Sequence, residues 1–183
     1  YAVTPRFAIS CTEQCLRGAR ELADAHDGVR IHTHASENRG EIERIERETG
    51  MRNVEWLHEV GLTGDDVVLA HCVWTDERER EILAETGTHV THCPAANMKL
   101  ASGVAPVADY LDRGITVALG NDGPPCNNTL DPFTEMRQAS LLGKVDALDP
   151  TTLPTRTVFE MATEHGAQAA GFDRVGRLRE GWR

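Results

Sequence analysis

The chain contains no apolar run approaching the roughly 18 residues that cross a bilayer as a helix, and no secretory signal pattern is visible, so no membrane segment is expected. Basic residues are few. Lys and Arg number 19 against 29 Asp and Glu, for a formal net charge of -10. That acidic excess repels phosphates, so no nucleic-acid partner is expected. Cysteine is sparse and odd in number, five in all, with no Cys-x-x-Cys pair. This argues against a disulfide framework and for reduced thiols in a cytoplasm. The Gly-rich dinucleotide and phosphate loops are missing, and so is the Gly-x-Ser-x-Gly elbow. The small zinc nucleobase deaminases need Pro-Cys-x-x-Cys, but Pro125-Cys126 is followed by Asn127-Asn128-Thr129. Internal repeats and low-complexity segments are absent as well.

What remains is an ordinary globular composition. At 183 residues, 40% hydrophobic and 26% charged, the chain can bury one sizeable core as a single domain. It begins at Tyr1 inside a strand tail and stops at Trp182-Arg183 after a Gly-rich turn. The expectation is therefore a fragment of a longer protein.

Strand and helix signals alternate strictly. A strand tail at residues 2–9 precedes a helix at 12–26, with Ser10 and Glu13 as its capping box. A strand at 29–34 follows, then a charged helix at 41–49 stopped by Gly50, and a short helix at 54–60 with His58 at the surface. Next come an apolar strand at 67–71, a helix capped by Thr75 and ended by Gly87, and a strand at 88–92. A long connection at 95–102 leads to a helix at 104–113, a strand at 115–119, and helices at 131–144 and 153–170. Continuous apolar strands alternating with helices predict an α/β fold with a parallel sheet.

His34, His71, His92 and Asp122 each fall at or just past the C-terminal end of a different predicted strand. In parallel α/β folds those ends share one rim, where sites are built. An extended strand also puts His32 on the face of His34, about 6–7 Å away. Glu37 sits in the turn three residues past His34. Imidazole and carboxylate suit a divalent ion such as zinc, which acidifies a bound water, and a nearby glutamate can carry protons between that water and a substrate. Cys72 and Cys93 directly follow His71 and His92, but alternation along a strand turns each away from its neighbour, so neither is taken as a ligand.

These residues resemble the amidohydrolase superfamily, in the aminohydrolase branch of methylthioadenosine/S-adenosylhomocysteine deaminases, guanine deaminase and triazine hydrolases. The resemblance runs in order through His34-Ala-Ser-Glu37, Ala70-His71-Cys72, His92-Cys-Pro-Ala-Ala-Asn97-Met-Lys-Leu-Ala-Ser-Gly103, Gly120-Asn-Asp122-Gly123 and Asn127-Asn128. Gly176-Arg-Leu-Arg-Glu-Gly181 looks like the segment where such chains leave the barrel for a small β domain. The implied fold is the C-terminal portion of a (β/α)8 TIM barrel, about strands 4/5 to 8. Residues 1–183 would form a partial metal-dependent hydrolase barrel domain without its N-terminal strands or flanking small β domain.

The resemblance further implies an aminohydrolase acting on C–N bonds of cyclic amidines, deaminating an amino-substituted N-heterocycle by metal-activated water. The substrate would be a purine or adenosine derivative, guanine, a pterin or a triazine. One divalent metal is implied, zinc ahead of iron, with His34 and Asp122 as ligands. Glu37, His71 and Asp122 would be catalytic, and Arg6, Phe7, His71 and His92 would contact substrate. His32 is assigned to the core. Pro5-Arg6-Phe7 looks like guanine deaminase, whereas the Asn97 stretch and Asn127-Asn128 look like the adenosine-derivative deaminases. Two departures stand out: the first-strand His-x-His ligand pair is missing, and Asn121 replaces a common Thr.

The 183 residues alone are expected to be inactive, to bind metal weakly and to self-associate through open sheet edges. The protein is expected to be a cytoplasmic homo-oligomer acting on a small heterocycle. Two alternatives are hydrolysis of another leaving group, chloride or an alkylamine, and a non-catalytic βα binding module that has lost its metal. Glu37 and Asp122 count against the module, since neither is needed to hold a fold.

Overall fold

Five strands pair in chain order, every pair parallel, in a computed structural model that describes residues 1–183. They are β1 (Ala2–Val3), β2 (Arg30–Ala35), β3 (Val67–His71), β4 (His89–His92) and β5 (Val117–Leu119). The fold is the expected α/β alternation. β1 is shorter than its apolar run suggested, although Phe7 extends its ladder by an isolated parallel bridge to His34. β1 and β5 form the two edges of the sheet.

Between β1 and β2 runs α1 (Glu13–Asp24), begun by Thr12, whose side chain accepts from Cys15 N. Ser10 does not cap it, donating instead to Phe7 O at 3.1 Å. Two helices, α2 (Arg39–Thr49) and α3 (Asn53–Glu59), separate β2 from β3. Gly50 ends α2 in the left-handed region at φ 77, where a Cβ would be strained. α4 (Glu77–Thr86) is capped by Asp76 with Glu79 reciprocating, rather than by Thr75. Thr75 is one residue too early and is held by Tyr110 Oη at 2.6 Å.

The expected connection at 95–102 is instead opened by a short helix, α5 (Pro94–Lys99). Proline at its first position gives up an N–H that a helix leaves unpaired anyway. α6 (Val107–Asp112) leads to β5, and α7 (Pro124–Asn127) and α8 (Pro132–Ala147) follow it. The single helix expected at 153–170 is two, α9 (Thr155–Ala162) and α10 (Glu164–Ala169). They break at Thr163, whose ψ of -80 departs from helical geometry. No helix is long and apolar enough to cross a membrane.

Apolar side chains from the helices and one sheet face form a continuous core that includes Leu16, Ile31, Leu57, Leu69, Leu83 and Val117. Each such side chain contributes about 1.5–3 kcal/mol on burial. β2 shows how the sheet is sided: Ile31, Thr33 and Ala35 are buried, His34 is half-buried and His32 is exposed. Within these residues His32 lies on the sheet face away from the helix-packed core. Strand alternation turns it onto the face opposite Ile31, where it lines a cavity of about 350 Å³ with Ala2, Val68, Thr91, Leu119 and Phe172. None of His34, His71, His92 or Asp122 lines that cavity.

Candidate active site

The strand ends turn abruptly. Ser36 after β2, His71 and Cys72 at the end of β3, and Asp122 after β5 have φ of 50, 74, 45 and 57. Left-handed backbone at a non-glycine residue costs of order 1–3 kcal/mol and is retained where surrounding structure demands it. All four residues belong to the rim singled out by the sequence.

Four planar groups line up along that rim. The Arg6 guanidinium lies 5.3 Å from the Phe7 ring centre. Phe7 and His34 are 5.5 Å apart, and His34 stacks on His71 at 5.2 Å with planes 24° apart. Backbone pairing sets this order. His34 N donates to Arg6 O at 3.1 Å, and His34 Nδ1 contacts the same oxygen at 2.7 Å. A carbonyl only accepts, so Nδ1 carries the proton and Nε2 keeps its lone pair.

His71 is buried, and its Nδ1 lies 2.9 Å from Asn97 Oδ1. With Asn97 Oδ1 turned toward it, Nδ1 is the donor of that pair, and His71 Nε2 faces Glu37 Oε2 at 4.0 Å. The Glu37 side chain is 16% exposed, and Ser102 Oγ donates to its Oε1 at 3.3 Å. His92 is buried with Nδ1 unpartnered. Desolvation, then the neighbouring His71, holds its pKa down at about 4. Asp122 is half-buried, and its Oδ1 accepts Gly123 N at 2.6 Å. Burial, then Asp122, pushes the Cys93 thiol up, so Cys93 is a protonated wall rather than a thiolate ligand.

Arg6, Phe7, His34 and His71 thus form a row of neighbouring planar groups in which His34 and His71 stack and Phe7 is tilted by 46°, with Glu37 beside His71 and His92 next to it. Three residues that sequence reasoning assigned no role also belong here. Asn97 and Ser102 lie inside the quoted 92–103 stretch, which was a usable signal. Glu135 had none, being one carboxylate among many on a helix. It accepts Ala95 N at 3.2 Å and Asn127 Nδ2 at 2.6 Å, and burial raises its pKa. Lys99 adds a further tie between loops, donating to Pro125 O and Asn128 Oδ1, each at 2.6 Å.

An imidazole with Nε2 free and a carboxylate fit a divalent ion by donor type. No group of three or more His, Cys, Asp or Glu side chains is placed to hold one, so a catalytic metal here needs donors beyond these residues.

The family model described as Amidohydrolase family matches residues 1–183. A 5'-deoxyadenosine deaminase of Methanothermobacter thermautotrophicus is 49% identical over 172 residues, covering 94% of this chain and 40% of that protein. A 5-methylthioadenosine/S-adenosylhomocysteine deaminase of Syntrophobacter fumaroxidans is 46% identical over 181 residues, 98% of this chain and 41% of that one. The crystal structure of an adenosine deaminase from Xanthomonas campestris with bound zinc superposes with a TM-score of 0.93 at 35% identity, covering 96% of this chain and 40% of that chain. The chain thus spans about two fifths of the length of the curated relatives it matches. Its five strands correspond to the C-terminal part of a (β/α)8 barrel, about strands 4/5 to 8.

Proposed function

This chain belongs to the amidohydrolase family, and on that premise we propose that the protein carrying it hydrolytically deaminates an adenosine derivative. Residues 1–183 are its partial metal-dependent hydrolase barrel domain. The observation that carries the reading is the placement of Glu37 across 4.0 Å from His71, whose ring stacks on His34. The names of the two relatives favour the adenosine side over guanine. A divalent ion, zinc ahead of iron, held by His34 Nε2, Asp122 and donors from the rest of the protein, would supply an acidified water when bound.

This chain's own residues do the rest. Asp122 accepts the proton released by the water. His71, held by Asn97, would accept a hydrogen bond from that water through Nε2 and fix its approach. Glu37 would give a proton to the ring nitrogen as the water oxygen adds to the ring carbon, the proton taken up by Asp122 would pass to the amino nitrogen, and ammonia would leave as the C–N bond breaks while the new hydroxyl returns a proton to Glu37. Phe7 offers a stacking face for the heterocycle, Arg6 a forked donor, and His92 a neutral wall. The free thiols and the acidic charge support a cytoplasmic setting without a nucleic-acid partner.

The test is ammonia release by the whole protein from 5'-deoxyadenosine, 5-methylthioadenosine, S-adenosylhomocysteine, guanine, pterins and triazines. Turnover of the adenosine derivatives is expected. No ammonia from any of them would overturn the reading.

A further inference from the structure

Glu135 lies on α8, which carries none of the rim residues, and is 1% exposed. A carboxylate that deeply buried is costly unless its oxygens are engaged. Both are, and both partners are neutral amides: Oε1 accepts Asn127 Nδ2 at 2.6 Å and Oε2 accepts Ala95 N at 3.2 Å. Each partner leads to the rim. Asn127 Nδ2 also donates to Asn121 O at 2.7 Å, the carbonyl of the peptide that enters Asp122. Ala95 lies in the first turn of α5, and two residues later that helix presents Asn97 to His71. A single side chain from a third element therefore ties together the turn bearing Asp122 and the helix that sets the tautomer of His71.

We infer that Glu135 is a positioning residue for Asp122 and the Asn97–His71 pair, a role that rests on the deaminase reading above. The chemistry requires a carboxylate rather than an amide. Each oxygen faces an N–H, and glutamine could satisfy only one of them, because its own NH2 would point at the other donor. Glu135→Gln thus changes hydrogen-bond polarity while leaving volume nearly constant.

The experiment compares zinc affinity, by competition with a chromogenic chelator, and kcat and KM for 5'-deoxyadenosine in the whole protein. Glu135→Gln is expected to lower zinc affinity and kcat per folded molecule by about 10- to 100-fold, the range for residues that orient ligands, with little change in KM. A purely structural role would reduce the folded fraction without moving either per-molecule value. Asn127→Ala, which removes the Glu135–Asn127–Asn121 arm and the Thr129 contacts of Asn127 but leaves the Glu135–Ala95 bond, should lower zinc affinity in the same direction, and it decides the matter if Glu135→Gln does not fold. The double variant should be no worse than the more damaging single one, because both act through one connection. Unchanged zinc affinity and kcat in the variants, or fully additive losses, would overturn the role. If the wild type binds zinc but releases no ammonia, the deaminase reading falls while the affinities still decide the role of Glu135. A wild type that binds no zinc overturns both.

Discussion

His71 donates from Nδ1 to Asn97 Oδ1 across 2.9 Å, with Asn97 fully buried and His71 1% exposed. The other end of that amide, Asn97 Nδ2, is buried without a partner. An unpaired buried donor is a standing cost, and the bond made by the acceptor end must offset it. Asn97→Leu keeps the branched outline of the side chain and strands the His71 Nδ1–H. The expected loss is about 1–3 kcal/mol in urea unfolding of the whole protein, together with a fall in kcat. Unchanged stability would mean that His71 finds another acceptor and that Asn97 does not set its tautomer.

The junction of α3 and α4 offers a prediction independent of the site. Glu79 has no exposed side-chain surface, yet it accepts Val54 N at 2.9 Å and Asp76 N at 3.0 Å and pairs with Arg52 at 2.9 Å. Removing one partner of a buried pair leaves the other uncompensated, at a cost of about 3–5 kcal/mol. Arg52 keeps its pair with Asp76 at 2.9 Å and is 25% exposed, so Glu79→Leu should sit near the low end, about 3 kcal/mol. By contrast, Arg44 and Glu48 are each 52% exposed, and Arg44→Ala should change stability by about 0.5 kcal/mol or less. Urea midpoints of the two variants test the ranking, and equal losses would contradict it.

Strand identity was legible because Val67–His71 and its counterparts are short apolar runs, each ending on a polar residue at a place where parallel folds put their sites. The rim residues could therefore be named before any coordinates. Alternation gives the face on which His32 lies, but whether that face is covered depends on packing that periodicity does not encode. α5 escaped notice because Pro94-Ala-Ala-Asn97-Met-Lys99 is too short for a 3.6-residue repeat to show. Glu135 escaped for a different reason. Its partners Asn127 and Ala95 are 8 and 40 residues away, and nothing local separates a buried glutamate from a solvated one.

His92 predicts how stability responds to acid. Its folded pKa is about 4, lowered from 6.5 by desolvation. Between those values the unfolded chain binds a proton that the native chain refuses. Stability is therefore complete above about 6.5, falls as pH drops through the window, and levels off below about 4. The gap is worth about 3 kcal/mol. His89 is lowered in the same direction, again by desolvation first. His92→Gln should therefore flatten the fall in unfolding free energy from pH 7.5 to 4.5 without abolishing it. A variant with the slope of the wild type would mean that His92 is not neutral in the native state.

Under the proposed mechanism, Glu37 is the residue whose change separates chemistry from binding. It is 16% exposed, 4.0 Å from His71 Nε2, and held by Ser102 at 3.3 Å, so it is oriented without being fully committed to a partner. Glu37→Gln removes the transferable proton while keeping the shape and the acceptor for Ser102. A positioned proton carrier is worth about 100- to 10,000-fold in rate, and kcat for ammonia release should fall by that order. Bound metal per protein should stay as in the wild type, because Glu37 is not among the proposed ligands. Ser102→Ala, which loosens Glu37 without removing it, should cost far less. Metal analysis beside the rate measurement distinguishes the alternatives. Loss of metal together with rate would make Glu37 a ligand, and full activity with full metal would assign proton transfer to another group on the rim.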